Sequence, residues 1–259
     1  MKKVYAVIAI SGIALAFPSV KAIAGDDSIV TDRPDFTEST ETVAPGHPQL
    51  ELGYTYAANK DDHQQTFGEF LYRVPAGKKI EARFYVNSFE TDRGPGGNVS
   101  GVQDTAIGLK YKLSEPTKKH GWSTPNLSVI LLTSLPTGGK DFRENNLQPQ
   151  AKLCAGWDLS EKWDMTANVN IANASSGGRR FTQWASSASF GYSISERWGS
   201  YFEYYGFYPG DVQSPNSNYV DSGLTYLFSK DRQFDIRAGK GANGVAQDYF
   251  VGTGYSIRW

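Results

Sequence analysis

Segments of about ten residues in which apolar and polar side chains alternate recur along most of this chain, and they constrain its fold more than any other feature. A period of two means an extended strand whose two faces meet different surroundings. The clearest case is 163–174, where Trp163, Met165, Ala167, Val169 and Ile171 face away from Asp164, Thr166, Asn168 and Asn170. The same reading predicts a strand starting at Gln49 and others at 65–74, 80–89, 102–113, 126–135, 148–159, 181–194, 198–208, 219–228 and 233–240. Residues 126–135 are apolar on both faces, so the pattern there does not say which face is which. With a final segment at 247–259, the total is about twelve strands near the 9–11 residues that a tilted strand needs to cross hydrocarbon. Globular strands typically have about 5–6.

The connections alternate in character. One series is short and repetitive, with DLSEKWDM and SISERWGS around 160–162 and 195–197, then 229–232, while KLSEPTKK opens a longer member. The other is rich in Gly and Pro, at 90–101, 136–147, 175–180, 209–216 and 241–246. Short turns on one side and longer loops on the other are the pattern of outer-membrane barrels. Trp157, Trp163, Trp198 and Tyr208 sit near strand ends, where an interfacial aromatic girdle would lie. The closing segment alternates down to Trp259 and resembles the C-terminal signature strand of bacterial outer-membrane barrels. That resemblance implies a last strand paired with the first, and recognition by the barrel-assembly machinery through the strand ending at Trp259. A spanning sheet must close, because unpaired backbone groups are too costly in lipid. The expected fold is therefore all-β, a closed antiparallel transmembrane barrel with short periplasmic turns and longer extracellular loops. A soluble β-sandwich is the alternative.

A basic start, Met1-Lys2-Lys3, precedes an apolar run at 4–17 and then Ala22-Ile23-Ala24, which reads as a signal peptide. The run is short for a helical span. Cleavage is expected after Ala24, with Ala22 as the alternative, giving a signal peptide at 1–24, a polar pre-barrel segment at 25–48 and a barrel at 49–259. The pre-barrel segment would lie at the periplasmic mouth or fold into the lumen. The lone Cys154 cannot form an intramolecular disulfide. A net charge of −1, from 26 basic and 27 acidic residues, argues against nucleic acid as a partner.

On the alternation, the inward face carries Glu69, Arg73, Glu81, Arg83, Asp104, Lys110, Lys152, Asp164, Glu203, Asp221, Asp235 and Arg237, with both signs mixed. Most would form cross-strand ion pairs, since a lone desolvated charge is costly. Glu69 and Arg73 against Glu81 and Arg83 form such an expected cluster. The functional reading of the same residues is a polar solute path. Enzyme signals are weak: His47, His63 and His120 all fall in expected loops or the pre-barrel segment, and no metal or nucleophile spacing is present. No cofactor and no catalytic residue is expected.

The run Thr31-Asp32-Arg33-Pro34-Asp35-Phe36-Thr37-Glu38-Ser39-Thr40-Glu41-Thr42-Val43, with Pro45-Gly46-His47 and 49–54 (QLELGY) after it, resembles the opening of a known family. This is the group of outer-membrane transporters known as the meta-pathway phenol-degradation family. The resemblance implies a Gram-negative outer-membrane channel in contact with lipid, passing small solutes, aromatic or hydrophobic ones among them, by passive diffusion. It carries over to Asp32, Arg33, Pro34, Asp35, Phe36, Glu38 and Glu41. Asp32, Arg33, Asp35 and Glu38 could pair with lumen charges as a latch; a tether that merely orients the first strand is the alternative. A non-transporting structural or surface-interaction barrel, and then a barrel hydrolase, are the remaining readings.

Overall fold

A computed structural model describes residues 28–114, 120–122, 124–176, 179–211 and 214–259. The expected signal peptide and most of the KLSEPTKK turn lie outside the described residues. The described strands are β1 (Gln49–Asn59), β2 (Asp62–Pro75), β3 (Ile80–Val86), β4 (Phe89–Gly94), β5 (Gly97–Val102), β6 (Thr105–Ser114), β7 (Asn126–Leu135), β8 (Gln148–Asp158), β9 (Trp163–Ser176), β10 (Arg179–Ser193), β11 (Trp198–Pro209), β12 (Ser217–Ser229), β13 (Arg232–Gly241) and β14 (Tyr249–Arg258). All pair antiparallel in one sheet, and β1 bonds both β2 and β14, so the wall closes. Twelve strands form the wall; β4 and β5 are a hairpin that extends β3 and β6 past a kink.

Alternation sets the in–out pattern throughout. Leu131, Leu153, Val169, Phe202, Ile236 and Val251 are exposed on the outside. Their lumen-facing neighbours Ile130, Cys154, Asn168 and Glu203 are buried. In β7 this resolves the ambiguous stretch: Ser128 and Ile130 point inward, so an apolar residue stands in a polar lumen. At the end carrying both barrel termini, Trp163 packs on Tyr192 at 4.6 Å, Trp198 on Tyr226 at 4.7 Å and Trp259 on Tyr72 at 6.1 Å. Toward the other end, Trp184 on β10 stands beside Tyr208 on the neighbouring strand β11. Trp198 and Tyr208 begin and nearly end β11, about 25 Å apart along the axis at normal strand rise and tilt. That is the height of an apolar band between two aromatic girdles.

The repeated short turns have a local cause. Ser160 Oγ accepts from the Trp163 N–H, and Ser195 Oγ from the Trp198 N–H, each at 3.1 Å. A serine hydroxyl thus closes each reversal before an aromatic opens the next strand.

Three expectations are corrected. Residues 90–101 are not a loop but the β4–β5 hairpin, whose β5 strand is exposed on both faces and so lacks apolar alternation. Residues 175–180 are mostly strand, since β9 runs to Ser176 and β10 begins at Arg179. His63 lies in β2 rather than in a loop, because Lys60, with φ of 49°, makes a tight β1–β2 reversal.

Candidate functional site: a segment seated in the lumen

Residues 28–48 enter the barrel from the end carrying its termini, where the Ile29 N–H donates to the Lys230 carbonyl at 2.7 Å. The segment rises, turns and returns to Pro48, whose carbonyl accepts from the Trp259 N–H at 3.2 Å. Asp32 ties the two limbs together by accepting from the Ser39 N–H at 2.8 Å and its hydroxyl at 2.7 Å.

One side of the lumen is basic. Arg83 reaches Asp32 at 2.7 Å and Glu38 at 3.1 Å. Lys110 pairs with Asp32 at 3.2 Å, and Arg73 approaches it at 3.7 Å. Lys152 pairs with Glu38, and Lys112 with Glu41 at 2.7 Å. Arg73 also bonds Glu51 and Glu81, each at 2.9 Å, and the Asp32 and Arg33 N–H groups donate to Glu51. Burial by itself would raise the Asp32 carboxyl, but Arg73, Lys110 and Arg83 hold it well below the usual carboxylate range. Asn168 exchanges two bonds with the Glu38 backbone, at 2.7 and 3.0 Å.

The opposite side, on β11 to β13, is acidic. Glu203 accepts from the Phe36 N–H at 2.8 Å, from the Thr37 N–H at 2.6 Å and from the Thr37 hydroxyl. Asp221 stands directly opposite Glu203 in register and takes the Tyr201 hydroxyl at 3.3 Å. The Glu203 and Asp221 carboxyls also face each other within hydrogen-bonding reach. Burial and then the Glu203 and Asp221 carboxylates push the Asp35 carboxyl well above its ordinary value. Arg33 lies on a glycine floor, donating to Glu69 at 2.5 Å and standing 3.5 Å from Asp235. A Cβ at Gly53 would fall 2.2 Å from its guanidinium, and one at Gly254 only 2.3 Å from it, so both positions leave room only for hydrogen. Arg237 holds the segment's turn, donating to the Pro34 carbonyl at 2.9 Å.

At that turn Phe36 enters a ring-lined recess. It stacks on Tyr205 at 4.7 Å and 19° and meets Phe207 edge-on at 5.2 Å. Tyr205 stacks in turn on Tyr219 at 4.8 Å, and Phe250 closes the group with Ala57.

Two cavities flank the segment. One, of about 420 Å³, lies between it and β9 to β13; Asp164 and a set of Ser and Thr hydroxyls line it. The other, of about 370 Å³, borders Phe36, Glu38, Arg83 and Lys152 and also touches the outward-facing Phe70 and Val86. There the wall is interrupted: β2 pairs β3 up to Phe70–Val86 and resumes with β4 at Phe67–Phe89. Gly68 and Glu69, with φ of 98° and 41°, form a bulge in the gap.

Eleven of the twelve lumen candidates face the interior described above, while Asp104 sits at the kink. Its carboxylate accepts from the Thr137, Gly138 and Glu144 N–H groups at 3.0, 2.8 and 3.0 Å and ties down the 136–147 loop. Glu69 does not join Arg73, Glu81 and Arg83 as expected, because the bulge turns it toward Arg33. All four latch candidates meet lumen groups. Sequence reasoning missed the recess around Phe36, although period two puts Tyr205 and Phe207 on the same face as Glu203.

The model of a family described as "Putative MetA-pathway of phenol degradation" matches residues 31–259. Among solved structures, the COG4313 outer membrane channel from Pseudomonas putida F1 is similar with a TM-score of 0.65 and 12% identity, covering 89% of this chain and 100% of that one. The KdgM porin is similar with a TM-score of 0.50 and 12% identity, covering 79% of this chain and 98% of that one. No curated protein sequence matches the chain.

Proposed function

The chain belongs to the family described as "Putative MetA-pathway of phenol degradation", and on that premise we propose that it is an outer-membrane channel for small solutes. Its conduit runs past the lumen segment, which acts as a latch. The observation that carries this reading is the division of labour within 28–48. Asp32 and Glu38 are bound by four lumen cations, while cavities of about 370 and 420 Å³ persist on the two sides of the segment. A purely structural filler would have no reason to leave such space, since interiors pack with few voids larger than a water molecule. The girdled apolar exterior supports a lipid setting, reached by export and the barrel-assembly machinery. The two similar structures, a channel and a porin, support transport over catalysis.

Solutes with apolar surface fit best. The cavity beside Phe36 extends to Phe70 and Val86 at the wall interruption, so an apolar molecule meets rings on one side and lipid-facing carbons on the other. Passive diffusion is the mode the latch implies, because no energy-coupling element is needed to lift a tether held by ion pairs.

Deleting residues 26–42 tests the reading in proteoliposomes. Small-solute flux should rise several-fold in a barrel that still shows heat-modifiable migration. Unchanged flux through a folded barrel would sink the latch. No flux from either form would favour a non-transporting structural barrel.

A further inference from the structure

We propose that the cavity of about 420 Å³ is a passage that prefers small cations to anions, and that Asp164, backed by Asp158, sets that sign. The inference rests on the channel reading and names a solute class for the second of its two cavities.

Charge in the lumen is matched in one direction only. Arg33, Arg73, Arg83, Lys110, Lys112 and Lys152 each stand in an ion pair. Arg237 does not, but it spends its guanidinium on the Pro34 carbonyl and the Thr55 hydroxyl beside the other cavity. The acids are not matched in return. Asp158 ends β8 and Asp164 follows the start of β9, directly opposite each other, inward by alternation and both exposed at the mouth. Among the described residues neither stands in an ion pair. Like charges directly opposite destabilise a sheet, and a wall built for stability alone would set a basic side chain against an acid, as Arg73 is set against Glu81. Asp35 lines the same cavity, but burial and the Glu203 and Asp221 carboxylates favour its protonated form, so the full charge sits at the mouth.

The lining suits ions. Beyond Asp164 it is largely hydroxyl, with Thr166, Ser189, Ser200 and Thr225 among its members. A hydroxyl can donate or accept, so it can replace water around an ion of either sign, and the choice falls to fixed charge. Arg33 is the one basic residue on this lining among the described residues, and Glu69 and Asp235 already offset it. Glycines leave the oxygens room: a Cβ at Gly191 would fall 2.4 Å from the Asp164 carboxylate, and one at Gly199 2.6 Å from the Thr225 hydroxyl. The cavity of about 370 Å³ differs, because Arg83 and Lys152 line it beside Glu38, which pairs with both. A unit charge about 7 Å away across water changes local ion concentration about 2- to 3-fold, raising cations and lowering anions. Two such charges, partly screened by salt, give a cation-to-anion permeability ratio of about 5–10.

The test is a planar-bilayer recording of the mature chain in a potassium chloride gradient around ~0.1 M, where the reversal potential reads the permeability ratio of potassium to chloride. The wild type should favour potassium about 5- to 10-fold. Asp164→Asn should lower the ratio about 2- to 3-fold, and Asp158→Asn with Asp164→Asn should bring it near one. Both changes keep the side-chain shape and relieve a repulsion, so the barrel should keep its heat-modifiable migration. Asp164→Lys should turn the preference toward chloride. Asp61→Asn, in the exposed β1–β2 turn at the opposite end, should leave the ratio unchanged. Raising the salt to ~1 M should pull the wild-type ratio toward one, because the field no longer reaches across the passage. A wild-type ratio of one or less, or a ratio indifferent to Asp158 and Asp164, would overturn the inference. Conductance without preference would remove the filter and keep the channel. A folded barrel that conducts no ion, either intact or after deletion of residues 26–42, would remove both.

Discussion

On the β2, β3, β6 and β8 side of the lumen, the inner segment meets its surroundings through full charges: Asp32 and Glu38 against Arg73, Arg83, Lys110 and Lys152. On the β11 to β13 side it presents backbone N–H groups, a hydroxyl and a phenyl ring to Glu203 and the rings beside it. The two attachments differ in what must happen for them to let go. Withdrawing Asp32 takes from Lys110 its carboxylate and from Arg73 and Arg83 one of several, leaving excess positive charge in a buried site, a cost that water must fill the lumen to offset. Withdrawing Phe36 and Thr37 breaks hydrogen bonds and a ring stack but no ion pair. The first side holds the segment by charge and the second by hydrogen bonds and ring contact.

Several substitutions would break or sharpen that contrast. The largest effect is expected from Asp32→Asn, which keeps the shape and removes the charge shared by Arg73, Arg83 and Lys110. Breaking a buried ion pair costs about 3–5 kcal/mol, so the segment should become cleavable by protease within 28–48, with more frequent openings in single-channel recordings. If Asp32→Asn protects the segment as well as the wild type does, the holding side has been misjudged. Glu203→Gln should cost about 1–3 kcal/mol, since the amide oxygen keeps only one of the two backbone N–H donors and its NH2 faces the other. A loss as large as that of Asp32→Asn, measured by the same protease assay, would erase the distinction between the two sides. Least of all is expected from Arg179→Ala. Its 3.1 Å pair with Asp211 lies at the far rim with Arg179 half exposed, and such pairs contribute no more than about 1 kcal/mol. A heat-modifiability midpoint within error of the wild type is the expected result.

The barrel was legible in the sequence because lipid and lumen impose opposite chemistries on alternate residues, and a twelve-fold repetition of that contrast has few other solutions. Where the surroundings become uniform the signal fades. Residues 90–101 pair as β4 and β5, and with β5 exposed on both faces their sequence reads as a loop. The separation of charge across the lumen was readable in principle. In an up-and-down barrel chain order is angular order, so the cations between Arg73 and Lys152 and the acids between Glu203 and Asp235 must face each other. A list of inward charges of mixed sign hides this until the strands are set around a circle. The seat of Phe36 was not legible. Nothing local in Asp35-Phe36-Thr37 specifies Glu203 or Tyr205, which are brought near only by closure of the whole wall.

The inner segment bonds across sequence separations of 78 residues to Lys110, 166 to Glu203 and 203 to Arg237. Contacts of such range form only after the intervening chain is in place. The segment therefore precedes every wall strand in the chain yet can take its seat only once the final hairpins have paired. A barrel with one hairpin missing, or with a strand slipped by a residue, would offer it a wall with a carboxylate or a guanidinium out of reach. Seating of 28–48 thus serves as a gauge of correct assembly, and its resistance to protease would distinguish finished barrels from those closed in the wrong register.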